Sequence, residues 1–268
     1  MSLQAAQGLL ACPHCAGTLM AEDRRWSCPS GHSFDVAKQG YLNLAIGVEP
    51  ANADTAAMLD ARARVQASGL FRFLEQGLDA AVPRKGDPAV LEVGAGTGHY
   101  LAELVEGRPS ARGVALDVSR AAAKRASRAH HRIASVVADV WHGIPAPDAS
   151  FDVALCIFAP RNAGEFARVL SPGGRVIVAT PTPNHLAELR VRHGLLGIEE
   201  DKHDRLLERF TGQLRHIGSR TLHHDADLTA SLVDDLIGMG PNAFHRPAPA
   251  TLSEQVRLEV RLDEFRQL

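Results

Sequence analysis

Short apolar runs alternate with helical stretches from residue 89 onward, and this alternation restricts the possible folds more than any other feature of the chain. The predicted strands are rich in Val, Ile, Leu and Ala and cover residues 89–93, 113–116, 133–137, 153–158 and 175–180. Helical stretches are predicted between most of them, at 97–106, 119–130 and 162–170. Strands joined through helices form parallel sheets with both faces covered. The sequence therefore predicts an α/β fold with a doubly wound, mostly parallel sheet.

Three regions are predicted along the chain. Residues 1–40 form a small module rich in Cys, His, Pro and Gly, residues 41–86 form a linker with a helical cap, and residues 87–268 form the main domain. Near the C-terminus, two more strands are predicted at 214–223 and 255–263. A helical stretch is predicted between them at 226–238.

Composition narrows the location of the protein and the way it can hold a nucleic acid. The formal net charge is −2, so an RNA partner must be held by a local basic patch. No apolar run approaches the roughly 18 residues of a transmembrane helix. The first seven residues lack the basic and apolar regions of a secretory signal peptide. We therefore expect a cytoplasmic protein that does not bind a membrane.

The cysteines crowd into the N-terminal module. Cys12 and Cys15 are separated by two residues, and twelve residues later Cys28 is followed by His32 with three residues between them. Two ligands from each of two tight turns can surround one tetrahedral ion with thiolate and imidazole donors. Because the protein supplies all four ligands, the predicted ion is a structural zinc. The remaining cysteine, Cys156, lies in an apolar run and is expected to face the core.

A turn of glycines follows the first predicted strand of the main domain. Gly94, Gly96 and Gly98 alternate with single residues, and Glu92 precedes the first glycine by two positions. Glycines permit a positive φ and the close approach of a ligand to the backbone at a helix N-terminus. A nicotinamide dinucleotide enzyme is an alternative, but its fingerprint has a different spacing, G-x-G-x-x-G. The pattern with Glu92 resembles the S-adenosylmethionine-binding loop of class I methyltransferases.

Two aspartates follow the next two predicted strands. Asp117 is placed to accept hydrogen bonds from ribose hydroxyls, and Asp139 lies where class I methyltransferases contact the adenine amino group. Taken singly, either aspartate is compatible with a solvated strand end. Together with the glycine turn, they predict a bound S-adenosylmethionine.

The end of the fourth predicted strand is the expected position of the transferred methyl group. In doubly wound sheets, ligands bind at the carboxyl ends of the strands. Phe158, Pro160 and Asn162 lie in the turn that follows this strand and are candidates for the substrate pocket.

The motifs of the N-terminal half resemble the 23S ribosomal RNA guanine-N1 methyltransferases. The resemblance begins with Leu10-x-Cys12-Pro13-x-Cys15, Cys28-x3-His32-x-Phe34-Asp35 and Ala37-Lys38-x-Gly40-Tyr41-x-Asn43-Leu44. It continues through Met58, Ala61-Arg62, Gly69, the glycine turn, Phe158-Ala159-Pro160, Ala179-Thr180-Pro181 and His185-Leu186, and it weakens beyond residue 200. Two segments are similar to the branch that includes the tylosin-resistance enzyme of macrolide producers, namely Ala159-Pro160-Arg161-Asn162 and Met239-Gly240-Pro241.

This resemblance implies a class I, Rossmann-like methyltransferase that acts on N1 of a guanine in a 23S rRNA hairpin, with macrolide resistance as a consequence. It also implies that Tyr100, Leu101 and His185 contact S-adenosylmethionine. Phe71, where the family has Tyr, would cap the cofactor. Phe244 stands where the family tends to have Trp, and it would supply a stacking face for the base. The sequence does not identify the general base.

Two basic clusters are candidates for binding RNA. The larger one lies on a predicted helix and its exit and comprises Arg120, Lys124, Arg125, Arg128, His130, His131 and Arg132. An equally acceptable interpretation of that cluster is a solvated helix face. Arg24 and Arg25 lie in the zinc module, which is expected to select a folded hairpin by shape. Because the module and the cofactor loop are far apart in sequence, we expect RNA binding and cofactor binding to be separable.

Two other functional classes stay open. A methyltransferase for a small natural product would methylate a macrolide or nucleoside without RNA. A non-catalytic RNA-binding or resistance protein would not bind S-adenosylmethionine, although the intact glycine turn argues against it. A homodimer also stays open.

Overall fold

The computed structural model describes residues 2–47, 50, 53–84, 86–199, 201–245, 250 and 252–268. Its strands are β1 (Met20–Glu22), β2 (Arg25–Ser27), β3 (Ser33–Asp35), β4 (Leu42–Asn43), β5 (Ala89–Val93), β6 (Arg112–Asp117), β7 (Ile133–Val137), β8 (Phe151–Ile157), β9 (Leu170–Pro181), β10 (Leu214–Leu228) and β11 (Glu254–Gln267). Its α-helices are α1 (Ala56–Ala67), α2 (Arg72–Ala81), α3 (His99–Glu106), α4 (Arg120–Ala126), α5 (Ala163–Val169), α6 (Ala187–His193), α7 (Lys202–Phe210) and α8 (Ala230–Gly238).

Within these ranges, eight strands form the main sheet in the order β10-β11-β9-β8-β5-β6-β7-β4. The pairs from β9 to β4 are parallel, and β11 is antiparallel to both β9 and β10. The strand order reverses between β5 and β8, so the carboxyl ends of these strands border the crevice where ligands bind in doubly wound sheets. The α/β class and the mostly parallel sheet predicted from the sequence are confirmed.

Local sequence sets where several helices begin. The side chains of Thr55, Ser119, Asn162 and Thr229 each accept a hydrogen bond from a backbone N–H in the first turn of α1, α4, α5 and α8. These are the residue types that satisfy the otherwise unpaired N–H groups of a helix start.

The helices cover both faces of the sheet with two buried clusters. One cluster contains Phe166 of α5 and Phe210 of α7, and the other contains Leu74 of α2 and Val233 of α8. Because β5 to β9 are buried on both faces, their residues form almost continuous apolar runs instead of an alternating pattern.

The N-terminal module shares the core of the main domain. Trp26 and Leu19 are buried in the same cluster as Val136 and Phe166. The backbone N–H of Ala11 donates to the carbonyl oxygen of Pro145 at 2.9 Å. The module therefore does not depend on its own few residues for a hydrophobic core, because the main domain supplies most of it.

Four elements differ from the sequence expectation. Residues of the predicted linker, Leu42–Asn43, pair with β7 and extend the main sheet. The helices α6 and α7 were not predicted, since α6 buries only Leu189 and α7 is mostly polar, with Leu206 and Phe210 as its buried residues. The helical stretch predicted at 226–238 begins only at Ala230, because β10 continues to Leu228. No helix in the described part of the chain is both long enough and apolar enough to cross a bilayer.

Candidate cofactor and metal sites

The glycine turn connects β5 to α3 in a conformation that requires glycine. Gly94, Gly96 and Gly98 have φ angles of 68°, 55° and 75°. Side chains at these positions would be strained, and they would also meet neighbours. A Cβ on Gly94 would overlap Ala159, and one on Gly98 would lie 3.2 Å from the backbone of Ala126. The turn is therefore shaped so that backbone, and not side chain, faces the crevice.

Asp117 at the end of β6 holds this turn. Its Oδ2 accepts a hydrogen bond from the N–H of Gly96, and its Oδ1 accepts one from the N–H of Ser119, both at 2.8 Å. Burial raises the pKa of Asp117 above its ordinary value, and the two N–H donors oppose that change. Each oxygen keeps a second lone pair that can accept a hydrogen bond from a hydroxyl group. The predicted ribose contact fits this geometry and stays a prediction.

Glu92 lies beneath the turn and is almost completely buried. Its Oε2 accepts a hydrogen bond from the N–H of Leu101 at 3.2 Å, which ties β5 to the first turn of α3. Burial raises the pKa of Glu92 to about 8. Leu101 is fully buried and packs against Gly113, so it supports the loop from below. Burial also raises the pKa of the neighbouring Tyr100, whose hydroxyl stays protonated.

Arg62 of α1 reaches the same turn, and the sequence analysis gave this residue no role. A Cβ on Gly96 would lie 2.7 Å from Nη1 of Arg62. Nη1 also lies 2.5 Å from Oδ2 of Asp54, and Nη2 donates to the carbonyl oxygen of Met239 at 2.7 Å. The sequence carried Arg62 only as part of the family resemblance, because α1 contacts the loop through tertiary structure.

Asp139 lies two residues beyond the end of β7. Its Oδ1 accepts a hydrogen bond from the N–H of Trp141 at 2.9 Å, so the side chain caps a short 3-10 helix, Val140–His142. A small pocket beside it is lined by Ala45, Ile46, Gly47, Val118, Arg120 and Val137. This pocket lies at the carboxyl ends of β6 and β7, where the sequence analysis placed the adenine.

The end of β8 carries an aromatic cluster next to the glycine turn. Phe158 has a φ of 54°, which is rare for a bulky residue, and 42% of it is exposed. Its ring lies 6.3 Å from that of the buried Phe71 and 6.2 Å from that of His185, measured between centroids. Strain of this kind persists only where the surrounding structure imposes it, and it concentrates at functional sites.

His185 is a neutral side chain in this cluster. Burial lowers the pKa of His185 to about 4, so the ring carries no charge near neutral pH. Its Nδ1 lies 3.1 Å from the backbone N–H of Glu259 and accepts that hydrogen. The proton of the neutral ring is therefore on Nε2, which makes it a donor. Contact of this donor with the cofactor stays a prediction.

The other predicted pocket residues behave differently from Phe158. Asn162 uses its Oδ1 to cap α5, and its Nδ2 donates to the carbonyl oxygen of Val140 at 3.1 Å. The polar atoms of the Asn162 side chain therefore both form hydrogen bonds within the protein. Pro160 follows Ala159 beside Gly94.

Cys156 is buried as predicted, and burial raises its pKa to about 12. Phe244 is 47% exposed in the short helix Pro241–His245, and it makes no ring contact with an aromatic side chain among the described residues.

The four predicted metal ligands converge in the N-terminal module. The ligand atoms of Cys12, Cys15, Cys28 and His32 all lie within 4.8 Å of one another. Sγ of Cys28 is 3.5 Å from Sγ of Cys15 and 3.4 Å from Nδ1 of His32. The N–H of Gly17 and the ring of His32 are among the groups that lower the pKa of Cys15 to about 6, which favours the metal-binding thiolate. Three sulfurs and one nitrogen at these distances suit a tetrahedral zinc ion.

Comparisons with known proteins agree with both parts of the site. A family model described as RlmA, N-terminal, a zinc ribbon, matches residues 10–46, and one described as methyltransferase domain matches residues 90–174. The 23S rRNA (guanine(748)-N(1))-methyltransferase of Streptomyces fradiae is 41% identical over 88% of this chain and 86% of its own length. A Micromonospora griseorubida protein assigned as a 23S rRNA (guanine-N(1)-)-methyltransferase is also 41% identical, over 97% of each chain.

Solved structures share the fold at low sequence identity. A chain in the Haloferax volcanii complex of a methyltransferase activator with its methyltransferase is 18% identical, with a TM-score of 0.54 over 80% of this chain and 97% of that one. A geranyl diphosphate methyltransferase is 13% identical, with a TM-score of 0.51 over 73% of this chain and 77% of that one. At this level of identity the likeness establishes the class I fold alone.

Proposed function

The chain belongs to the family of the 23S rRNA (guanine-N1-)-methyltransferases, and we propose that it transfers a methyl group from S-adenosylmethionine to N1 of a guanine in a 23S rRNA hairpin. One observation carries this proposal. The zinc-ligand cluster and the glycine turn belong to one folded unit, since the module that carries the cluster packs into the core beneath β7. Relatives that match this chain over both the zinc-ribbon region and the methyltransferase domain are named as 23S rRNA guanine-N1-methyltransferases.

The residues of the site fit S-adenosylmethionine. The positive φ angles of Gly94, Gly96 and Gly98 leave backbone exposed to a ligand, and Asp117 has lone pairs available for ribose hydroxyls. When bound, the cofactor supplies an activated methyl group on a sulfonium. Arg62 beside Gly96 brings a cation to the loop, which can pair with the carboxylate of the methionine moiety. The protein's main task is then to align the acceptor nitrogen with the methyl carbon.

The aromatic cluster at the end of β8 offers a surface for the target base. A guanine inside a base pair hides N1, so the base must be unpaired or extruded before transfer. The exposed face of Phe158 lies beside Phe71 and His185, close to the glycine turn. Base–aromatic stacking contributes roughly 1–3 kcal/mol. We assign to Phe158 the stacking role, with Phe244 as a second surface that would have to approach from the loop after α8.

The N1 proton of guanine must leave during the transfer. The ionisable groups nearest the turn already have tasks, since Glu92 and Asp117 hold backbone N–H groups. His185 is neutral and its Nδ1 is occupied. We therefore propose that solvent water accepts the N1 proton. The main contribution of the protein is then to position the guanine.

The zinc module, residues 1–40, would contribute to the recognition of the hairpin. Its sheet of β1 to β3 is held on the main domain by the buried Trp26 and by the hydrogen bond between Ala11 and Pro145. A rigid module beside the crevice can select RNA by shape, which is how folded RNA is usually recognised.

Labelled cofactor offered in parallel to protein-free 23S rRNA, to hairpin fragments and to macrolide antibiotics tests this function. We expect label at N1 of one guanine in the RNA. Label that enters the antibiotic and never the RNA would instead support a methyltransferase for natural products. Primer extension on rRNA from cells with and without the gene locates the target, and growth of the same pair of strains on macrolides tests resistance.

A further inference from the structure

Three members of the large basic cluster on α4 and its exit take part in internal contacts of the fold. Arg125 lies 2.7 Å from Oδ1 of Asp60, and His130 lies 2.9 Å from Oε2 of Glu106. Arg132 donates to the carbonyl oxygens of Val105, Arg108, Pro109 and Ala111. These three side chains hold loops and helices together, so a role in the fold accounts for them.

Arg120 and Lys124 of α4, and Arg128 in the turn that follows the helix, are exposed and follow one another at intervals of four residues. Residues four apart on a helix are neighbours on its surface, at about 6 Å from one another. No Asp or Glu occurs between residues 118 and 138 of the sequence. The segment that carries these residues therefore adds no negative charge of its own.

This row continues onto the zinc module. Oγ of Ser127, at the end of α4, donates to the carbonyl oxygen of Gln39 at 2.9 Å. The preceding residue, Lys38, is exposed. At the other end of the row, Arg120 lines the pocket beside Asp139. Lys38, Arg128, Lys124 and Arg120, called here the basic row, thus extend from the zinc module to the mouth of the cofactor crevice.

We propose that the basic row binds the phosphodiester backbone of the substrate RNA and aligns the hairpin between the zinc module and the cofactor crevice. This inference rests on the proposed function, because it takes RNA as the substrate. Charge complementarity selects the occupant, since exposed cations that follow one another along one segment attract a chain of phosphates. Contacts to phosphate set the register of a nucleic acid and carry no sequence information. Recognition of the guanine is left to the site at the end of β8.

The test compares two double variants that remove the same charge. Lys124→Ala with Arg128→Ala removes the centre of the row, and Arg120 is kept because it lines the pocket. Arg205→Ala with Arg209→Ala is the control, since these residues are also four apart and exposed, on α7. The α7 helix packs through Leu206 and Phe210 into the buried cluster that contains Phe166, whereas α4 packs through Ala126 into the cluster that contains Leu74. The two helices therefore cover opposite faces of the sheet. Arg132→Ala is a second control for a structural arginine.

Hairpin affinity is measured over a range of salt concentrations, together with affinity for S-adenosylhomocysteine. We expect the row variant to bind the hairpin about tenfold more weakly, with a salt slope smaller by roughly 0.7–0.9 for each phosphate that the variant no longer neutralises. Its affinity for S-adenosylhomocysteine should equal that of the wild type. Arg132→Ala should lower the melting temperature and leave the salt slope unchanged.

Two results would overturn the inference. One is a wild-type salt slope in the row variant, and the other is an equal loss of affinity in both double variants, which would indicate general attraction to a polyanion. The proposed function is judged separately, by whether the wild-type protein methylates N1 of the hairpin guanine. A protein that methylates the hairpin and whose row variant binds it normally contradicts only the basic row.

Discussion

Oδ2 of Asp117 accepts a hydrogen bond from the backbone N–H of Gly96 at 2.8 Å, so one carboxylate both closes the glycine turn and faces the crevice. The other oxygen holds the N–H of Ser119, which starts α4. Asp117 is thereby fixed by the backbone of the glycine turn, where we propose that the cofactor binds. A change at this residue should disturb the loop as well as the ligand contact.

Asp117→Asn is expected to weaken cofactor binding at least tenfold, because a carboxamide has only one oxygen to serve two backbone donors and the ribose. Calorimetric titration with S-adenosylhomocysteine measures the effect. Asp152→Asn is a matched control, since Oδ2 of Asp152 also accepts a backbone N–H, from Ala89 at 2.9 Å, at the opposite end of the sheet. That control should reduce stability only, and equal losses of affinity in both variants would contradict the role of Asp117.

Arg62→Ala should also weaken cofactor binding by about tenfold or more, because it removes the cation next to Gly96 and leaves Asp54 unpaired. Arg64→Ala serves as the control on the same helix, since its guanidinium pairs with Asp235 and is mostly exposed. Calorimetric titration of both variants with S-adenosylhomocysteine measures the affinity for the cofactor product. Unchanged affinity in Arg62→Ala would mean that the arginine only joins α1 to α8.

Glu92 predicts a specific dependence of stability on pH in the cofactor-free protein. Its pKa is about 8 in the folded state against 4.5 ordinarily, so the native state binds more protons than the unfolded state between these values. The contribution of Glu92 to the free energy of unfolding should therefore fall as pH rises through this window. The loss from this one group is on the order of 2 kcal/mol between pH 6.5 and 8.

Urea unfolding at several pH values checks this prediction. The pH range starts at 6.5 to avoid the titration of His185. Because the pKa of His185 is lowered from 6.5 to about 4, its effect on stability, a rise with pH, is confined to pH values below 6.5. Glu92→Gln should flatten the decline. Glu103→Gln, at an exposed position on α3, should not. Cys15, whose pKa is lowered to about 6, changes stability in the opposite direction over this range in both proteins. An equal pH dependence in the wild type and in Glu92→Gln would therefore disagree with the buried glutamate.

Cys28→Ser should lose the zinc ion and lower the melting temperature, because the ion organises the turns that carry the module. Cys156→Ser retains the four ligands and should keep one zinc per chain by metal analysis. A further prediction departs from the sequence expectation that cofactor binding does not need the zinc module. Residues 45–47, just beyond β4, line the pocket near Asp139, so loss of zinc should weaken cofactor binding too. A Cys28→Ser protein with full zinc content would refute the ligand assignment.

Phe158→Ala and Phe158→Gly should both reduce methyl transfer to RNA, since each removes the stacking ring. They should differ in stability, because the φ of 54° strains alanine and suits glycine. The glycine variant is expected to be more stable than the alanine variant by about 1 kcal/mol, measured by urea unfolding. Near-normal transfer in either variant would remove Phe158 from the substrate site.

Much of the site was predictable because its signals are local. The spacing of Cys12, Cys15, Cys28 and His32 reports two turns that each present two ligands, and the structure brings these atoms together. The glycine turn was predictable for the same reason, since only glycine adopts three positive φ angles within five residues at low cost. Short α6 and α7 were missed because both are mostly polar, and they bury only Leu189 in α6 and Leu206 and Phe210 in α7.

The sequence by itself determined the α/β class, the metal ligands and the cofactor turn, because each depends on residues that are close along the chain. Tertiary structure alone decided which charged side chains form contacts within the protein and which are exposed to solvent. It placed Arg62 of α1 against Gly96, and it paired Arg125 with Asp60 while leaving Lys124 and Arg128 exposed on the same helix. A charged side chain gains its role from partners distant in sequence, and those partners exist only once the helices pack on the sheet.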